Sequence, residues 1–302
     1  MKSASTMGRQ LWLTACLLYI GIAWGLVPSL ARLATSEGAD ALNATFLQSL
    51  VGGVVLLALT LVRGKRFHLS WRHLWFYTVC GFAGTTIPTA IVFAAAPEVG
   101  AGMIAIIIAL APILTYFGAL VLGLEPHGFW RLAGIGLGFA AVLLIVLPDL
   151  EIEVGSLTAW LLITLFIPIC YAIESLIIAL RRPPEGDAMM LVAGMLLSSA
   201  LVLLPVVLLG GAANDILPGW DTASIAVGSI AAINVTAYVI FLYLISAAGP
   251  VFATFAGYLN MVAGVIWGIV LWQESHSSWV WGAVVLLAVA MYLVSERRPR
   301  GT

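Results

Sequence analysis

Apolar runs of about 16 to 25 residues recur along this chain, and nearly every charged residue falls in the short gaps between them. A helical run of about 20 apolar residues matches a hydrocarbon core roughly 30 Å thick. Ten such runs can be drawn, at 10–31, 41–62, 72–95, 100–122, 130–147, 156–180, 188–209, 223–246, 250–272 and 279–295. Lipid offers no partners to backbone N–H and C=O groups, so each run is expected to be a helix that satisfies them internally. No gap exceeds about fifteen residues, which leaves no room for a soluble domain between runs.

Composition points the same way. Of 302 residues, 62% are apolar and 9% charged, a balance that excludes a soluble domain of this size. Cys16, Cys80 and Cys170 all fall inside runs and read as small core residues, not as disulfides. The first run, at 11–31, is too long for a signal peptide and leads straight into further runs, so it counts as the first helix.

The charges then set an orientation. With the N-terminus in the cytoplasm and alternating crossings, Lys2, Arg9, Arg63, Lys65, Arg66, Arg72, Arg131, Arg181, Arg182, Arg297, Arg298 and Arg300 lie on the cytoplasmic side. Of the 13 Lys and Arg residues only Arg32 is left on the other. Glu37, Asp40, Glu98, Asp149, Glu151, Glu153, Asp215, Asp221 and Glu274 collect on the far side. An even number of crossings, both termini cytoplasmic and a plasma membrane (in a bacterium, the inner membrane) are the expectation. Most of the 11 Trp residues sit at run ends, where an amphipathic ring is best solvated; Trp24, in mid-run, does not.

Two stretches resemble one another at a shift of 149 residues: Gly100 matches Gly249, Leu110 matches Leu259, Val121 and Leu122 match Val270 and Leu271, and Glu125 matches Glu274. The repeating unit is then five runs. Five is odd, so two such units, 1–150 and 151–302, would insert in opposite senses. Inverted repeats of this kind are a common architecture of secondary transporters, with the site near the bilayer midplane between the halves. The expected fold is therefore an all-α polytopic membrane protein, ten transmembrane helices in two inverted five-helix repeats.

Trp24 and Gly25 in the first run, Gly100, the ALAP at 109–112 and the LGLE ending at Glu125 give the chain a family resemblance. It resembles the EamA-type transporters of the drug/metabolite transporter superfamily, and the likeness covers nearly the whole length. The second half departs from the pattern, with Asn260 and Met261 where the family often has Pro and with Tyr171 and Ala172 in place of a second Trp-Gly pair. The resemblance implies ten helices, a central cavity lined by both halves, and export of amino acids or other metabolites.

Polar residues inside the runs are the candidates for the site. Glu174 is an acid about six residues inside its run, where a charge is costly to insert. Facing a cavity, it would meet a cationic group of the cargo or a coupling proton; the plain alternative is a pair with Arg181 or Arg182. Tyr171 lies three residues earlier on the same helix face, and Trp24 is its rough counterpart in the first half. Asn234 and Tyr238 share a face; Tyr258 and Asn260 follow in the next run. An interhelical hydrogen bond contributes only ~0.6 kcal/mol on average, so stability is a weak reason for such amides, although helix-to-helix bonding is their commoner use. Thr86 and Thr89 flank Pro88, where hydroxyls can satisfy a backbone group freed by the proline. Pro28, Pro88, Pro112 and Pro168 are candidate hinges or simple kinks.

Other chemistry is not suggested. The four His residues lie at run ends or in gaps without an i, i+4 pair, so neither a metal nor a cofactor is expected. No phosphate loop, nucleophile elbow or HExxH is present, and the basic stretch at 63–72 is a topology signal that implies no nucleic acid. The leading expectation is a carrier of a small-molecule substrate, with lipid around it. The alternatives are a channel-like protein or a membrane-embedded enzyme; a carrier, not an enzyme, fits one isolated acid better than a catalytic cluster would.

Overall fold

The computed structural model describes residues 2–124, 128–150, 156–210, 221–248 and 250–295. The helices are α1 (Lys2–Ser36), α2 (Ala41–Val62), α3 (Trp71–Gly81), α4 (Ile87–Val99), α5 (Ala101–Ile108), α6 (Ala111–Val121), α7 (Phe129–Leu150), α8 (Ser156–Thr164), α9 (Phe166–Arg181), α10 (Ala188–Leu209), α11 (Thr222–Ala248), α12 (Pro250–Trp272) and α13 (Ser278–Ser295). A π-helical turn, Phe82–Thr86, joins α3 to α4. Among the described residues, seven helices are long and apolar enough to cross a membrane, and three shorter apolar helices, Leu132–Leu144, Leu259–Trp272 and Ser278–Leu293, accompany them. Glu125, Gly249, the boundary at 151 and the Arg297, Arg298 and Arg300 cluster lie outside the described residues.

Three of the expected straight runs are broken, each just before a proline. Proline has no N–H to give the carbonyl four residues back, and its ring crowds that carbonyl. For Pro88 that carbonyl belongs to Gly84, in the π-helical turn; for Pro112 to Ile108, the last residue of α5; for Pro168 to Thr164, the last residue of α8. Pro28 stays inside α1. Several starts are capped by acids from the gaps. Asp40 Oδ1 accepts from the N–H of Leu42 and Asn43 at 3.0 and 2.9 Å, and Asp187 Oδ1 from that of Met190 at 2.9 Å. Asp221 accepts from the Ser224 N–H at 2.7 Å, which holds its carboxyl below the usual range. His73 is wholly buried and bonds Ser70 Oγ and the Glu185 carbonyl, tying the start of α3 to the loop before α10.

Burial is inverted relative to a soluble protein. Val62, Trp71, Leu201 and Leu209 are exposed, whereas Thr45, Gln48, Ser49, Thr60 and Ser199 are buried. Lipid takes the apolar surface, and polar groups turn inward to find partners. Glycines allow close approach where helices cross. A β-carbon on Gly25 would stand 2.8 Å from Gly264 N and 3.0 Å from the Asn260 carbonyl, so α1 and α12 touch backbone to backbone. A β-carbon on Gly81 would strike the Met195 carbonyl of α10. Gly81→Ala is therefore expected to destabilise by about 1–3 kcal/mol through overpacking, read as a lower melting temperature in detergent; an unchanged melt would show that α3 and α10 can move apart freely.

Neighbours follow a pattern of exchange. Helix α1 packs on α11 and α12; α8 packs on α4, and α9 on α3, α4, α5 and α6. Helix α2 packs on α11, and α10 on α3. Three further pairs are α2 with α10, α5 with α12 and α7 with α13.

Candidate functional site: a central cavity with one carboxyl group

A cavity of about 350 Å³ lies beside the π-helical turn and the α5–α6 junction. Helix α1 contributes Trp24 and Pro28, α2 Gln48, the π-helical turn Gly84 and Thr85, and α4 Thr89 and Phe93. The α5–α6 junction adds Ile108 to Pro112 apart from Leu110, α9 adds Tyr171 and Glu174, α11 Asn234, Tyr238 and Phe241, and α12 Asn260. Helices from both ends of the chain thus wall one space.

Seven of the nine candidate residues meet there: Trp24, Thr89, Tyr171, Glu174, Asn234, Tyr238 and Asn260. Of the prolines, Pro28 and Pro112 line the wall, whereas Pro88 and Pro168 lie behind it. Tyr258 is on α12, but its side chain lies outside the described residues. Thr86 does not line the cavity; it is buried and its Oγ1 bonds Ser199 Oγ at 2.8 Å. The π-helical turn explains this, since Thr85 and Thr89 share the cavity face while Thr86 points to α10.

Glu174 sits against the π-helical turn. A β-carbon added at Gly84 would land within its carboxyl group, so the glycine makes the space that the acid occupies. Among the described residues Glu174 has no hydrogen bond and no ion pair, and Arg181 and Arg182 do not reach it. Trp24 packs edge-on to Tyr238, centroids 5.5 Å apart and planes at 74°, and tilted against Phe241 at 5.5 Å. These rings give the cavity an aromatic wall.

Sequence reasoning missed Gln48. It is buried, lines the cavity, accepts from Asn234 Nδ2 at 2.9 Å and donates to Ser49 Oγ at 3.2 Å. Ser49, Ser199 and Thr86 continue the chain, with Ser199 to Ser49 at 3.4 Å and Thr86 to Ser199 at 2.8 Å. This polar chain therefore runs from the cavity wall to the π-helical turn across α2, α10 and α11. The signal was available: an amide in mid-run, the same feature that singled out Asn234 and Asn260.

A second polar cluster closes one end of the bundle. Glu274 Oε1 accepts from the N–H of Ala101 at 2.7 Å, and Oε2 from that of Gly102 at 2.9 Å, capping α5 from the far end of the chain. Arg32 Nη1 meets Oε1 at 2.8 Å, and its guanidinium lies 4.4 Å from the Trp272 ring centroid. Groups of His, Cys, Asp and Glu able to hold a metal are absent among the described residues.

Residues 11–147 match the model of the EamA-like transporter family. That stretch holds Trp24, Gly25 and the motif at 109–112, so the family those residues resemble is the one matched, a family of membrane transporters of the drug/metabolite transporter superfamily, and the long apolar helices mark the chain as an integral membrane protein. No curated protein matches the chain by sequence. A solved crystal structure of a protein 18% identical superposes with a TM-score of 0.59, covering 92% of this chain and 96% of that one; at this identity the likeness shows the fold alone.

Proposed function

We propose that this chain is an EamA-type secondary transporter that exports amino acids or related small metabolites by alternating access around the central cavity. The cavity carries the reading: about 350 Å³, walled by helices of both halves and holding one unpaired carboxyl group, it suits a compact small molecule. The exchange of neighbours between α1 and α8–α9, and the pairing of α2 with α10, α5 with α12 and α7 with α13, support two five-helix units, 1–150 and 151–302, inserted in opposite senses. Rocking of one unit against the other would open the cavity to each face in turn. Pro88, Pro112 and Pro168, each beside a break, and Pro28 inside α1 are the proposed hinges.

Trp24, Thr89, Tyr171, Glu174, Asn234, Tyr238 and Asn260 are the proposed cargo contacts, with Tyr258 beside them on α12. Glu174 would hold the cargo's ammonium group or a coupling proton. The distribution of Lys and Arg favours cytoplasmic termini and a plasma membrane, the inner one in a bacterium. The test is counterflow in proteoliposomes with a panel of labelled amino acids and nucleosides. Saturable flux stimulated by internal substrate is expected; flux that rises linearly with concentration would replace the carrier with a pore.

A further inference from the structure

Resting on the transporter reading, the cavity also specifies the charge of its cargo. Its polar lining carries one acid and several acceptor atoms without donors. Glu174 presents a carboxyl group with no partner among the described residues. Asn234 gives its Nδ2 to Gln48, which leaves its Oδ1 for the space beyond. Asn260 Oδ1 is buried without a donor among the described residues. The faces of Trp24, Tyr238 and Phe241 carry the negative side of the ring quadrupole.

Indole, hydroxyl and amide donors line the cavity, but among the described residues no Lys or Arg does, so an anion would find no opposite charge there. Every Lys and Arg in the sequence lies in a gap or within two residues of a run end. Arg32, next to the cavity-lining Ala31, is engaged by Glu274 and Trp272. At the α5–α6 break the N–H groups of Ala109 and Leu110 bond the carbonyls of Ile106 and Ile107, and Pro112 has none. A cargo carboxylate in this space would lose water without gaining a cationic partner, whereas an ammonium would gain a carboxylate and aromatic faces.

We infer that the cavity is built for an organic ammonium with an apolar or aromatic body, with Glu174 as its counter-ion, and that it selects against a carboxylate on the same molecule. Amines are therefore preferred over zwitterionic amino acids, and organic anions are excluded. Gln48 acts as a positioning residue that fixes the Asn234 amide with its oxygen toward the cargo.

Three probes with one body decide it: phenethylamine, phenylalanine and 3-phenylpropionate, titrated calorimetrically into the purified full chain in detergent. Phenethylamine is expected to bind at least tenfold more tightly than phenylalanine, and 3-phenylpropionate not to bind. Glu174→Gln is expected to weaken phenethylamine at least tenfold, and Trp24→Leu several-fold, with melting curves recorded for both; should Glu174→Gln not fold, Trp24→Leu decides. Phenylalanine binding as tightly as the amine, any binding of the anion, silence from all three probes, or an amine affinity untouched by the variants would overturn the inference. Counterflow separates it from the transporter reading, using the impermeant trimethylated amine beside phenylalanine. A cation that binds but does not exchange removes the transporter and keeps the cation site; phenylalanine that exchanges faster than the cation does the reverse.

Discussion

Glu174→Gln is expected to reduce saturable counterflow to less than a tenth of the wild-type rate while leaving the melting temperature close to unchanged. The side chain lines the cavity and has neither a hydrogen bond nor an ion pair among the described residues, so neutralising it removes little that holds the fold together. It would remove the one acidic group the cavity presents to cargo. Gly84→Ala tests the same position from the opposite wall. Its new β-carbon would land within the Glu174 carboxyl group, the far end of a flexible side chain, so the acid would swing aside at little cost in stability but out of its place. Both variants should therefore melt like the wild type and transport poorly. If both exchange cargo at the wild-type rate, Glu174 is a bystander and the site must be sought among Asn234, Asn260 and the aromatic wall.

What could be read from residues alone divides by the range of the forces involved. The helical runs were legible because lipid imposes a length and a composition on every crossing, and α2, α10 and α11 lie close to where the runs at 41–62, 188–209 and 223–246 place them. The breaks were only half legible. Pro88, Pro112 and Pro168 marked them, but proline alone does not say whether a helix bends, as α1 accommodates Pro28, or parts, as at the α5–α6 and α8–α9 junctions. The choice depends on what packs against the freed carbonyl. Thr86 shows the same limit: five residues of π-helix shift the helical register, and Thr85 rather than Thr86 lines the cavity. Glu274 lay furthest out of reach. It is 172 residues from Gly102 in sequence, and no local signal announces that it will cap α5.

That cap makes Glu274→Ala the substitution expected to cost the fold most. One carboxylate accepts the N–H groups of Ala101 and Gly102 and pairs with Arg32, so its loss strands two backbone donors at the start of α5 and one guanidinium. An orphaned buried donor costs about 1–3 kcal/mol, and water at the partly exposed Arg32 would recover some of that, for a total of roughly 2–4 kcal/mol. The chain already accepts strain to deliver this group. Gln273, with φ at 54°, takes the left-handed turn position usually given to glycine, and the Glu274 N–H returns to the Gly268 carbonyl at 3.3 Å to end α12. Glu274→Gln should cost less than alanine, because an amide oxygen still accepts one backbone N–H while the ion pair is gone. Arg32→Met keeps an apolar stem and removes the same ion pair from the other side, together with the guanidinium over Trp272. If the pair contributes as its geometry implies, the double variant Arg32→Met with Glu274→Gln melts well above the sum of the two single losses. Strict additivity of the two, or Glu274→Ala melting with the wild type in detergent, would mean that α1, α5 and the α12–α13 turn are held together by packing alone.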